Sequence, residues 1–159
     1  MPNIESVDLN KSASWRSARL GELAGAEHLG MSLYELGPGQ GMPFHYHLQR
    51  EELLIVLVGT LALRTAEGWR DLPAGGVVAF PRGERGAHGY ENRSDGPVRV
   101  LLISEQNAAN ISLYPDSNEV GVFDAAHPAE RRFGALFDVG DARSGYGGGT
   151  PEIVPPAPR

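Results

Sequence analysis

Apolar and β-branched residues along most of this chain gather in short runs, each closed by glycine, proline or a small polar cluster. That spacing predicts strands over Trp15–Leu20, Leu29–Leu36, Met42–His47, Glu52–Val58, Leu61–Thr65, Trp69–Leu72, Val77–Phe80, Ala87–Asn92 and Val98–Ser104. Gly59-Thr60, set between two apolar runs, suits a two-residue hairpin in which glycine takes the positive φ. Glu67-Gly68 and Pro73-Ala74-Gly75-Gly76 mark the next two reversals. Beyond Leu113 the pattern loosens: Tyr114-Pro115-Asp116-Ser117 reads as a turn and Glu119–Phe123 as one more strand. Helical periodicity is weak, with Ala125–Phe133 the best candidate for a short helix. The expected fold class is all-β, a sandwich or barrel.

From Gly140 the chain is rich in glycine and proline and offers little to pack, so a flexible tail is expected over 140–159. The remainder divides into an N-terminal arm with the first strand (1–28), a barrel core (29–113) and an extension packing on the barrel (114–139). A length of 159 residues suits one such domain.

Composition narrows the chemistry. There is no cysteine, which removes disulfides, iron–sulfur clusters and thiolate zinc sites and leaves nitrogen and oxygen as metal donors. A net charge of −6 with scattered arginines argues against a nucleic-acid partner. The N-terminus has no basic start followed by an apolar run, so no signal peptide is expected. The longest mostly apolar run, Leu53–Val58, is too short to cross a bilayer. The expectation is a cytoplasmic protein with no membrane partner.

Three of the five histidines and one glutamate carry the chemical signal. His45 and His47, one residue apart on a strand, point to the same face. Alternation along the next strand places Glu52, Leu54, Val56 and Val58 on one face and sends Glu51 to the other. His88 returns from a later strand. Three imidazoles and a carboxylate leave two positions open on a six-coordinate ion, where substrate or water binds. Asn92 reads as structural, closing a turn; His28 and His127 read as exposed. Tyr90 shares the His88 face and is a pocket or core residue, and Arg64 and Glu35 are further candidates to reach inward.

The spacing resembles the two motifs of the cupin superfamily. Gly39, His45, His47, Glu52 and Gly59 match the first. Gly75, Pro81, Gly83, His88 and Asn92 match the second, except that four residues rather than two separate Gly83 from His88. The extra pair lies in Gly83-Glu84-Arg85-Gly86 and should lengthen a loop without moving His88 off its strand. Phe80-Pro81-Arg82-Gly83, Gly86-Ala87-His88, Asn92-Arg93-Ser94-Asp95 and Tyr114-Pro115-Asp116-Ser117 are similar to a bacterial group of small single-domain cupins of undefined function. The resemblance implies a double-stranded β-helix, the cupin jelly roll. It also implies one divalent transition-metal ion (Fe, Mn, Ni, Zn, Co or Cu) on His45, His47, Glu52 and His88.

Because this superfamily runs many chemistries on one scaffold, the implied function is broad. The leading expectation is an enzyme acting on a small oxygenated organic molecule, dioxygenase-like first, decarboxylase or isomerase next, with no catalytic base identified. The alternative is a non-catalytic small-molecule-binding cupin whose metal anchors a ligand or stiffens the barrel. A homodimer paired through the N-terminal strand is also expected.

Overall fold

The computed structural model of the chain describes residues 1–11, 15–106, 109–124, 133–141 and 153. The expected helix over Ala125–Phe133 lies, save for its last residue, outside them, as does most of the tail. Among the described residues the chain opens with β1 (Asn10–Lys11), β2 (Arg16–Arg19) and a short helix α1 (Leu20–Ala24). There follow β3 (Leu29–Leu36), β4 (Gly41–His47), β5 (Glu52–Val58), β6 (Thr60–Thr65), β7 (Gly68–Pro73) and β8 (Val77–Phe80). The last five are β9 (His88–Glu91), β10 (Val98–Glu105), β11 (Asn110–Tyr114), β12 (Glu119–Phe123) and β13 (Gly134–Asp138). No helix among the described residues is long and apolar enough to cross a membrane.

The strands form two antiparallel sheets, ordered β1-β2-β3-β10-β5-β8 and β13-β12-β11-β4-β9-β6-β7. From β3 onward the chain passes repeatedly from one sheet to the other, the connectivity of a double-stranded β-helix.

That connectivity corrects the hairpin expected at Gly59-Thr60. β5 pairs with β10 and β8, whereas β6 pairs with β7 and β9. Gly59 is a corner between sheets, at φ 82°. A Cβ there would lie 3.0 Å from Val98 Cγ2 and 3.2 Å from the Pro97 oxygen. The hairpin in this region is β6–β7, with Thr65 opposite Gly68.

The segment expected as one strand over Trp15–Leu20 splits. Leu20 starts α1, which ends at Gly25 in the left-handed conformation, φ 81°. α1 lies close on β3, since a Cβ at Gly21 would approach Leu29 O and Met31 N to 2.9 Å.

Three apolar layers result. Leu36, Leu54, Val56, Leu61, Leu63, Phe80, Tyr90, Val98 and Val100 fill the space between the sheets; full burial of each large side chain contributes roughly 1.5–3 kcal/mol. Leu20, Leu33 and Leu101, with Ile4, Val7 and Leu9, form a second cluster on the outside of the six-stranded sheet. Phe44, Tyr46, Ala87, Val139 and Ile153 form the third, outside the seven-stranded sheet. Ile153 is therefore a packed residue within the tail, and its N–H also reaches Asn118 Oδ1 at 3.3 Å. Val58, expected on the inner face, is 47% exposed, because the register of β5 against β10 shifts between Val100 and Arg99.

The register sets a polarity along the barrel. One cross-strand row on the six-stranded sheet is Gly30, Ser104, Glu52 and Phe80. Two rows further on, Tyr34, Val100 and Val56 lie side by side, then Leu36 opposite Val98. One end is thus polar and the other apolar.

Candidate metal centre

β4 and β9 bring the histidines together. His45 stands directly opposite His88, after a register shift between Met42 and His45. The alternation that turns His45 and His47 inward turns Phe44 and Tyr46 outward into the third apolar cluster. β5 supplies Glu52 from the facing sheet. All four side chains are buried, with 1% exposure at His88 and 4% at Glu52.

The additional pair of residues before His88 forms a 3-10 turn, Glu84–Gly86. The Gly83 N–H donates to His47 O at 2.7 Å, tying the turn to β4. His88 stays on its strand, and the turn presents the Gly86 carbonyl to it.

Each imidazole is oriented through Nδ1. His45 Nδ1 lies 2.8 Å from Pro43 O and His88 Nδ1 2.8 Å from Gly86 O. A carbonyl can only accept, so Nδ1 carries the proton and Nε2 is left with its lone pair. His47 Nδ1 lies 3.0 Å from Asn110 Oδ1 and 2.9 Å from Ser112 Oγ, and Asn110 Nδ2 donates to that hydroxyl at 3.0 Å. Phe80 stacks on His88 at 3.6 Å and Tyr114 on His45 at 5.6 Å between centroids.

The ligand atoms of His45, Glu52 and His88 all lie within 4.8 Å of one another. His47 lies beside this trio, its Nε2 3.3 Å from Glu52 Oε2; His88 Nε2 is 3.5 Å from the same oxygen. The Nε2 atoms of His47 and His88 are buried without a hydrogen-bond partner. Two donors around an ion with bonds of about 2.1 Å sit roughly 3.0–3.4 Å apart in octahedral or tetrahedral arrangement. The donor set and its orphaned nitrogens fit a cation between them.

Electrostatics agree with that geometry. Burial, reinforced by His88 and His47, lowers the His45 pKa to about 3; burial also lowers that of His88. Both rings are neutral at pH 7, the form that ligates. Burial works to raise the Glu52 pKa, but the close approach of His47 and the fields of His88 and His45 outweigh it and bring it to about 2.

Glu51, the neighbouring carboxylate, is exposed, and its N–H donates to Glu105 Oε2 at 2.8 Å. Asn92 is fully buried; its Nδ2 donates to Leu36 O and Gly96 O, and its Oδ1 accepts from Ser94, so it closes a turn. His28 is exposed and His127 lies outside the described residues. Two inward expectations are corrected. Glu35 lies on the outer side of β3, paired with Arg16 and Arg99. Arg64 points outward over the Phe44 ring and pairs with Asp116.

A cavity of about 230 Å³ opens beside the four side chains. Its walls include Tyr34, Tyr90 and Tyr114, which burial holds above the usual phenol pKa. Asn110, Ser112 and Tyr114 on β11 escaped sequence reasoning. Their signal was the alternation in Asn110-Ile111-Ser112-Leu113-Tyr114.

With fold and site in hand, residues 32–104 match the family model described as Cupin domain. That match covers just under half of the chain, and the two-sheet architecture around it is the fold of small cupin-domain proteins. No curated protein sequence matches it. Among solved structures it is similar to a sugar phosphate isomerase of the cupin superfamily from Silicibacter pomeroyi. That likeness has 26% identity and a TM-score of 0.72, covering 84% of this chain and 82% of that one. It is also similar to a protein provisionally named sugar phosphate isomerase from Acidithiobacillus ferrooxidans, at 24% identity and TM-score 0.71, covering 82% and 80%. A polyketide cyclase from Streptomyces resistomycificus matches at 22% identity and TM-score 0.52, covering 58% and 66%. The last two establish likeness of fold alone.

Proposed function

We propose that His45, His47, Glu52 and His88 hold one divalent transition-metal ion, and that the protein is an enzyme that isomerises a small, sugar-like oxygenated molecule. The observation that carries the metal is the pair of buried, unpartnered Nε2 atoms facing the Glu52 carboxylate at a cavity wall. When bound, the ion polarises substrate oxygens as a Lewis acid. The chain's residues do the rest. His45 and His88 offer neutral nitrogen, Asn110 and Ser112 hold His47 in its ligating orientation, and the protonated phenols of Tyr34 and Tyr114 donate hydrogen bonds to substrate oxygens.

From the sequence alone, oxygenation is the first expectation. Isomerisation moves ahead of it because the similar protein from Silicibacter pomeroyi, aligned over most of both chains, bears the name sugar phosphate isomerase. An accessible cavity with polar walls favours catalysis over a metal that merely stiffens the barrel. The test is incubation of the protein, loaded in turn with each candidate metal, with aldose and ketose phosphates in D2O. Deuterium appearing beside the carbonyl supports isomerisation. Oxygen consumption without exchange would restore oxygenation, and neither signal with any metal would leave the non-catalytic binding reading.

A homodimer belongs to the same proposal. Among the described residues β2 is covered by β1, and β1 is the outermost strand of the six-stranded sheet, an edge that suits a second copy. Light scattering that returned a monomer mass would remove the dimer.

A further inference from the structure

We infer that the mouth of the cavity is an anion-binding subsite, in which Arg19 and Arg50 take a phosphate or carboxylate group of the substrate while its other oxygens face the histidine–glutamate cluster. This rests on the reading above that the cavity receives a small oxygenated molecule.

The two guanidinium groups arrive from different parts of the fold. Arg19 ends β2, opposite Ser32. Arg50 lies in the turn between β4 and β5, two residues before Glu52. Both line the cavity that Glu52 and the histidines line. Both also act on one group inside it, the Tyr34 phenol, whose pKa they pull down against the upward effect of burial. Their fields therefore meet in the cavity rather than being spent on opposite surfaces.

The wall between them is built for hydrogen bonding. Ser32, Ser104 and Gln106 line the same cavity. Gly30 leaves the space that two of them fill, since a Cβ there would lie 2.7 Å from Gln106 Nε2 and 2.8 Å from Ser104 Oγ. Two carboxylates, Glu22 and Glu105, lie near these arginines, and neither lines the cavity. Glu105 is engaged by Arg82 through both its oxygens. Glu22 meets Arg19 at 2.9 Å, but both side chains are substantially exposed, and such a pair is weak enough to exchange for a ligand.

Charge makes the point sharper. The whole chain carries a net −6, yet the cavity wall holds two arginines against the single carboxylate of Glu52. The balance is positive before any metal is added, and a divalent ion would raise it further. A cationic cleft in an acidic protein focuses small anions, and paired arginine forks match the oxygens of phosphate or carboxylate.

The experiment is calorimetric titration of the zinc-loaded, full-length protein with D-ribose 5-phosphate, D-ribonate and D-ribose. The charged ligands should bind at least about tenfold more tightly than ribose. Whichever of the two binds more tightly assigns the group as phosphate or carboxylate. Arg19→Gln and Arg50→Gln should each cut affinity for the preferred anion about tenfold, with ribose affinity and metal content unchanged. Arg19→Gln, remote in sequence from the metal cluster, keeps the test valid if Arg50→Gln perturbs the neighbouring Glu52. Equal affinity for charged and neutral ligands, no anion binding at millimolar concentration, or indifference to Arg19→Gln would overturn the inference. Arginine-dependent anion binding without turnover on any metal would sink the enzymatic reading and leave this one standing; turnover of neutral sugars unaffected by the arginine changes would do the reverse.

Discussion

Replacing Glu52 by glutamine separates metal binding from folding. The carboxylate is 4% exposed and lies 3.3 and 3.5 Å from two unpartnered imidazole nitrogens. Glutamine keeps the volume but removes the one anionic ligand. Changes to the partners that merely orient ligands weaken metal binding about 10–100-fold, so loss of the ligand charge should cost at least about 100-fold. At a free metal concentration of about 1,000 times the wild-type Kd, binding adds about 4 kcal/mol to stability; a hundredfold weaker site retains about 1.4 kcal/mol. The difference of about 2.7 kcal/mol corresponds to a loss of about 5–11 °C in the metal-induced rise of Tm for a domain of this size. In chelator that metal-dependent difference should disappear, leaving only the smaller effect of exchanging the carboxylate for an amide in the apo protein. Scanning calorimetry with and without chelator, alongside elemental analysis, reads both effects. Glu51→Ala is the control, since that side chain is exposed. Wild-type metal occupancy in Glu52→Gln, or its loss in Glu51→Ala, would refute the reasoning.

Three further outcomes are expected. Asn110→Ala removes the acceptor at His47 Nδ1 and should weaken metal binding about 10–100-fold with modest effect on the apo protein; unchanged affinity in a metal titration would deny it a positioning role. Gly59→Ala forces alanine to φ 82° against Val98 and should destabilise by about 1–2 kcal/mol or more in urea denaturation, with metal affinity intact. Ile153→Ala should cost about 2–4 kcal/mol by the same assay, because the side chain is buried against Phe44 and Tyr46; a negligible loss would show that the tail contributes nothing to the barrel.

Local information carried the strands and much of the site. Side chains two apart on a strand share a face, so His45 and His47 had to point the same way and Glu51 had to part from Glu52. The extra pair of residues before His88 became a turn because glycines at 83 and 86 allow one there; Gly83 takes φ 76°. Asn92 was legible for a similar reason, its side chain bonding within its own turn and to the end of β3.

Sheet membership and the choice of inner face were not local. A glycine at positive φ serves a hairpin or a corner equally well, and only the pairing of β5 with β10 makes Gly59 a corner. Alternation says which residues share a face without saying which face turns inward. On β11 the usual inference inverts: Asn110 and Ser112 face the cavity, while Leu113 packs outside against the third apolar cluster. Glu35 and Arg64 went outward because opposite charges on neighbouring strands and a turn, Arg99 and Asp116, awaited them there. The strand period and ligand spacing are properties of the chain itself. Which side of each strand meets water, metal or another layer depends on how two twisted sheets close over one another, and that was decided only in three dimensions.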